Sequence, residues 1–204
     1  MIRNRNLLLG VLGAVIAVAV GIFGFTQWRS GQDEEGQAAM FTAVNYFETD
    51  SLKQALNGDG QNPGLLKVAD EYGSTKAGNL AHFYAGTVLL KQGKFAEAEE
   101  HLAKFTSDDL LLQARAYCLQ GDAAMEQGKK DKAAELYLKA ATYKANPHFS
   151  PGYLLKAAGA QESLNQWAEA VKNYDRILNE YPTAQEANDA KRYRARAAAQ
   201  AGVE

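Results

Sequence analysis

Four groups of residues carry side chains able to do chemistry. His82 and His101 would fall on the two helices of one helical pair, and Glu97 stands one helical turn before His101. Imidazole and carboxylate are zinc ligands, but a structural zinc site takes four ligands at tight spacing, and this set does not supply them. A Glu–His pair one helical turn apart is also an ordinary feature of an exposed helix. His148 lies in the proline-flanked stretch "YKANPHFSP" and reads as a solvated loop residue. Cys118 is the single cysteine, so it forms no internal disulfide. With Tyr117 and Leu119 beside it, it reads as a small packing residue rather than a reactive thiol. The stretch "NGDGQN", Asn57 to Asn62, offers oxygens at Asn57, Asp59 and Gln61. A calcium loop of the EF-hand type would need Gly where Asn62 stands and Glu where Val68 stands, so these residues read as a flexible connection. No glycine-rich phosphate loop, nucleophile elbow or paired-histidine zinc motif occurs. The residues therefore point to no enzyme, no cofactor and no metal.

Charge excludes further classes. The net charge is −2, with both signs interleaved, which gives no long-range field for nucleic acid and no polybasic run for a membrane surface. One segment stands apart: "LLLGVLGAVIAVAVGIFGF", Leu7 to Phe25, holds neither a charge nor a strong polar group. As a helix it is roughly 28 Å long, about the thickness of a bilayer core. Arg3 and Arg5 precede it, and Arg29 follows, soon offset by Asp33, Glu34 and Glu35. That asymmetry places the remainder of the chain outside the cytoplasm. Ala17-Val18-Ala19 resembles a signal-peptide cleavage site, but apolar residues continue through Phe25 and Trp28 sits where an interfacial anchor belongs, so the span reads as uncleaved. No cysteine near the apolar stretch supports a lipoprotein. Gly13, Ala17 and Gly21 recur at every fourth position and form a small-residue face suited to packing against another membrane helix.

The rest of the chain repeats itself. "KQGKFAEAEEHLAKF", "EQGKKDKAAELYLKA" and "NQWAEAVKNYDRIL" align so that Gly93, Gly128 and Asn165 mark a turn. Ala98, Ala133 and Ala170 follow it, then Leu102, Tyr137 and Tyr174, at spacings of 35 (133 − 98) and 37 (170 − 133). Upstream of each turn, Gly86, Gly121 and Ala158 supply a small residue at a matching place. Two helices approach closely only where one lacks a bulky side chain, and the large residue of the neighbour fills the space. Helix–turn–helix units of this length and grammar resemble tetratricopeptide repeats. Departures exist: Lys130 stands where the other copies have Phe95 and Trp167, and "YKANPHFSP" lengthens one loop, with Ser150 expected as N-cap and Pro151 as first helical residue. The C-terminal stretch opens with Thr183 and Glu186 at capping-box spacing and continues as an alanine-rich capping helix.

The expected fold is all-α, an N-terminal transmembrane helix followed by a tetratricopeptide-repeat α-solenoid. Its parts are a tail at 1–6, the span at 7–28, a linker at 29–36, a degenerate repeat at 37–78, three repeats at 79–182 and a capping helix at 183–204. The resemblance implies a peptide-binding groove lined by the first helix of each pair. The lining would hold Phe83, Thr87, Leu90 and Lys91, then Arg115, Asp122, Met125 and Glu126, then Leu155 and Glu162. It lacks the clustered Lys and Arg that grip a peptide C-terminus.

Order and motif narrow the resemblance. One span is followed by "YFETDSLKQALNGDG", "EYGSTKAGNLAHFYAGTVLLKQGKFAEAEEHLAKF" and "EYPTAQEANDAKRYRARA". This is similar to the bacterial single-span tetratricopeptide proteins related to the ancillary subunit of the SecYEG translocon (YfgM-like), in their Bacteroidetes form. The resemblance implies an inner-membrane, single-pass adaptor with periplasmic repeats, whose partners are SecYEG and a periplasmic chaperone. It implies no nucleic acid and no small-molecule substrate. An envelope scaffold in outer-membrane assembly or cell division is the alternative. The stretch before the span, residues 1–6, is shorter than in those relatives.

Overall fold

A computed structural model describes residues 4–203, with the backbone alone for residues 5–8. Arg3 and the side chain of Arg5, two determinants of the expected orientation, lie outside what is described. The described residues form ten helices and no strand. These are α1 (Arg5–Glu48), α2 (Leu52–Asn57), α3 (Leu65–Glu71), α4 (Lys76–Lys91), α5 (Phe95–Lys104), α6 (Leu110–Glu126), α7 (Lys130–Thr142), α8 (Ser150–Glu162), α9 (Trp167–Glu180) and α10 (Ala187–Ala201).

Helix α1 corrects one boundary. Residues 29–36, expected as a linker, are helical, and the apolar stretch runs without a break into the first helix of the solenoid. Two contacts from distant sequence hold this segment in place. The carboxylate of Asp33 accepts the backbone N–H of Ala77 at 2.8 Å. Gly36 lies so close to α3 and α4 that a Cβ there would stand 2.9 Å from that of Ala77 and 3.0 Å from the Tyr72 ring. Glycine is disfavoured in a helix interior, and here its use is the close approach. The same helix is long and apolar enough over Leu9 onward to cross a membrane, and none of that window is buried within the fold.

From α4 onward the helices stack in consecutive pairs, each packed on the next. The three turns share one geometry. Gly93, Gly128 and Asn165 have φ of 76°, 75° and 58°, the left-handed region open to glycine and tolerated by asparagine. The N–H of the residue after each turn returns to a carbonyl of the first helix: Lys94 to Leu89, Lys129 to Ala124 and Gln166 to Gln161, each at 2.9 Å. This closes the carbonyls left open at a helix C-terminus.

The small-residue rule holds in the packing. A Cβ on Gly86 would stand 2.6 Å from Leu102, and one on Gly121 would stand 2.6 Å from the Tyr137 ring. Ala158 and Tyr174 are both buried in the third copy, and Ala98, Ala133 and Ala170 are inaccessible. Two core clusters cover the ends of the array, and a third around Phe83, Leu102, Phe105 and Leu119 bridges α4 to α6.

Two caps differ from expectation. Ser150 lies inside α8 as a buried residue, and its hydroxyl accepts the N–H of Asn146 at 3.0 Å, so it ties back the long loop rather than capping the helix ahead. Pro151 does fall in the first turn. Thr183 and Glu186 precede α10 without a side-chain cap, because Ala184 to Glu186 form a turn of their own, with Ala187 N–H bonded to the Ala184 carbonyl.

Candidate functional site

Helix α1 touches α4, α4 touches α6 and α8 touches α10, whereas the second helices α5, α7 and α9 make no comparable contact with one another. These contacts put α1, α4 and α6, and likewise α8 and α10, side by side on the side of the array expected as the inner face.

The residues expected there fall in different surroundings. Phe83 is a correction: it is buried, with its ring 5.1 Å from that of Phe105, because the α4–α6 core needs a large apolar group at that place. Thr87 turns its hydroxyl to the Phe83 carbonyl at 2.8 Å. Leu90, Met125 and Leu155 are half-buried against the clusters and present only their edges. Arg115 and Glu126 are exposed and free of ion pairs among the described residues.

The remaining charged residues are bonded inside the chain. Lys91 pairs with Asp50 at 3.1 Å and sits over the Phe47 ring. Asp122 accepts the Tyr137 hydroxyl at 2.7 Å and pairs with Lys156 at 2.6 Å. Glu162 accepts the Tyr174 hydroxyl at 3.0 Å and pairs with Arg196. The acid of one first helix thus meets a base one repeat further along, in both cases. In the first repeat Thr87 and Leu102 stand at the places of Asp122 and Tyr137, and this device is missing. Burial, and then the Asp122 carboxylate, push the Tyr137 hydroxyl well above its usual range. Burial and Glu162 do the same to Tyr174. These hydroxyls stay protonated donors and stitch neighbouring helices together.

A stretch outside the expected groove lies where α1 passes from the apolar segment into the solenoid. Met40, Phe41 and Val44 of α1 and Leu80 and Tyr84 of α4 line an open groove of about 360 Å³, with Gln37 and Lys76 at its rim. Phe41 is 68% exposed. The signal was present in "MFTAV", apolar one helical turn apart, but it becomes a surface only once α1 is known to continue beside α4.

The chemical candidates fall elsewhere. His82 and His101 face each other across α4 and α5, with Nδ1 to Nδ1 at 3.0 Å. One nitrogen must carry the hydrogen that the other accepts. Burial lowers both, His82 to about 4 and His101 in the same direction, aided by nearby Lys104. Among the described residues no group of three His, Cys, Asp or Glu is arranged to hold a metal. Cys118 is fully buried and its thiol is pushed up to about 11 by burial, then by Asp122. A thiol so placed is a packing group. In the loop at Asn57–Asn62, Asp59 accepts the N–H groups of Gln61 and Asn62 at 2.8 and 2.6 Å and the Tyr46 hydroxyl at 2.9 Å. Its oxygens organise the loop itself.

Residues 85–148 match a tetratricopeptide-repeat model, and residues 153–184 match a second model of the same repeat. No curated protein matches the chain. Neither model is that of a catalytic family, and both span the helix pairs whose turns, small positions and fillers are described above. The chain accordingly carries tetratricopeptide repeats over residues 85–148 and 153–184, in an all-α solenoid of the kind that binds other proteins.

Proposed function

We propose that this protein is a membrane-anchored adaptor whose repeats stand on the periplasmic side of the inner membrane. There they bind protein partners at the exit of the Sec translocon, together with a periplasmic chaperone. The observation that carries the reading is the continuity of α1, which makes the apolar segment and the first solenoid helix one rod. From Phe25 to Gly36, where the solenoid is already packed, a helix rises only about 17 Å. An extended linker of the same number of residues would allow about twice as much. The inner face is therefore held within reach of chains leaving the bilayer, and not of a machine across the periplasm. Arg3 and Arg5 before the span, against Asp33, Glu34 and Glu35 after it, support the orientation. The order of span and repeat motifs supports the translocon.

Purification of the intact protein from membranes in mild detergent tests this. SecYEG components and a periplasmic chaperone should be recovered with it. Recovery of division or outer-membrane assembly proteins with no translocon subunit would overturn the reading in favour of an envelope scaffold.

A further inference from the structure

Just beyond the apolar stretch, α1 and the start of α4 form an open cavity with charged and hydroxyl groups in its lining. Its lining is Thr26, Arg29, Ser30, Asp33, Thr75 and Lys76. The N-terminus of α4 is already closed, since Asp33 accepts the N–H of Ala77 at 2.8 Å and Thr75 accepts that of Gly78 at 3.1 Å. It is not an open anion site. The cations differ from it. The second oxygen of Asp33 accepts the Gln37 amide at 3.0 Å, so both oxygens of the one carboxylate in the cavity are occupied. Arg29 and Lys76 are exposed and make no ion pair among the described residues. Two cations and one engaged carboxylate leave the cavity with a net single positive charge.

Its height supplies the occupant. Arg29 lies one helical turn past Phe25, about 6 Å along the helix, where the headgroup layer begins. Trp28, more than half exposed, stands beside it as an interfacial aromatic. We infer that this cavity seats the phosphate of an anionic phospholipid headgroup, gripped by Arg29 just past the span and Lys76 from the solenoid. Sequence alone hides the pair, because the two cations are far apart in the chain and form no basic run. The lipid would join membrane and solenoid at a second point, fixing how the inner face is turned. The inference rests on α1 spanning the bilayer but not on the identity of any protein partner.

The intact protein is reconstituted in vesicles of equimolar phosphatidylcholine and phosphatidylglycerol. It is then re-extracted in mild detergent, and the lipid retained per chain is read by native mass spectrometry. Phosphatidylglycerol should be enriched by about fivefold per cation, the effect of one basic side chain near an anionic surface. Arg29→Gln with Lys76→Gln should abolish the enrichment, whereas Arg29→Lys with Lys76→Arg and the distant Lys191→Gln should retain it. Equal retention of both lipids, or an unchanged preference in the glutamine double variant, would overturn the site. Displacement of the lipid by millimolar inorganic phosphate would assign the cavity to a soluble anion instead. Resistance of the protein to alkaline extraction is measured alongside: its failure would remove the span, while insertion without lipid preference would remove the headgroup site alone.

Discussion

At the residue scale, the imidazoles of His82 and His101 meet between α4 and α5, and their protons bear on stability. Both titrate below the ordinary 6.5 in the fold, because burial disfavours their charged forms. The unfolded chain then binds more protons in the interval between, so stability is full above about 6.5 and declines as the pH falls toward about 4. The melting midpoint of the intact protein should fall between pH 7 and pH 5, and that part of the fall should shrink in His82→Gln with His101→Gln. Parallel pH profiles for the two proteins would show that the pair does not couple to folding. Single residues were legible in the sequence wherever near neighbours fix them. Gly86, Gly121 and Ala158 announce a close helix approach, and Leu102, Tyr137 and Tyr174 fill the space. Partners one repeat away were not legible. Asp122 and Glu162 read as groove-lining acids, and each is held by a tyrosine and by a base further along the chain.

At the scale of elements, sequence reading placed α4 to α10 and missed the course of α1. "SGQDEEGQ" carries two glycines and little apolar character, so it reads as a linker. Local propensity is a weak prior, and here tertiary contacts override it. Asp33 caps the distant helix α4, and Gly36 admits α1 against Tyr72 and Ala77. Neither contact leaves a local trace. The two glycines of this stretch should therefore respond in opposite directions. Nothing lies within 4 Å of a Cβ on Gly31, so Gly31→Ala should stabilise the helix by about 0.5–1 kcal/mol, the usual difference between the two residues. Gly36→Val should force α1 away from α3 and α4 and cost about 1–3 kcal/mol, the common range for overpacking. Hydrogen exchange over residues 33–48 reads both changes. Equal protection in the two variants would mean that α1 is not docked as described.

At the scale of the whole molecule, the question that follows from the proposed function is whether the apolar N-terminal segment is a tether or a mount. A flexible tether assists a weak binder by raising effective concentration, and it is indifferent to direction. A mount holds the inner face at one height and one angle. The continuity of α1, its docking through Asp33 and Gly36, and the groove that Phe41 shares with Tyr84 all describe a mount. The distinction can be tested by inserting residues between Ser30 and Gly31. About ten residues of Gly and Ser have a mean span of roughly 17 Å in no fixed direction, so they remove the fixed angle and let the solenoid range over distances from the bilayer that include the native one. An alanine-rich helical insertion of about seven residues adds about 10 Å of height but turns the solenoid by only about 20°, because it nearly completes two turns. A mount predicts that the flexible insertion lowers recovery of membrane partners severalfold while expression, membrane insertion and the melting midpoint of the repeats stay unchanged. It predicts that the helical insertion, despite its added height, preserves more of that recovery. Equal recovery with both insertions and with the native protein would make α1 a tether, and the order flexible above helical would show that height, not direction, is what the partner reads.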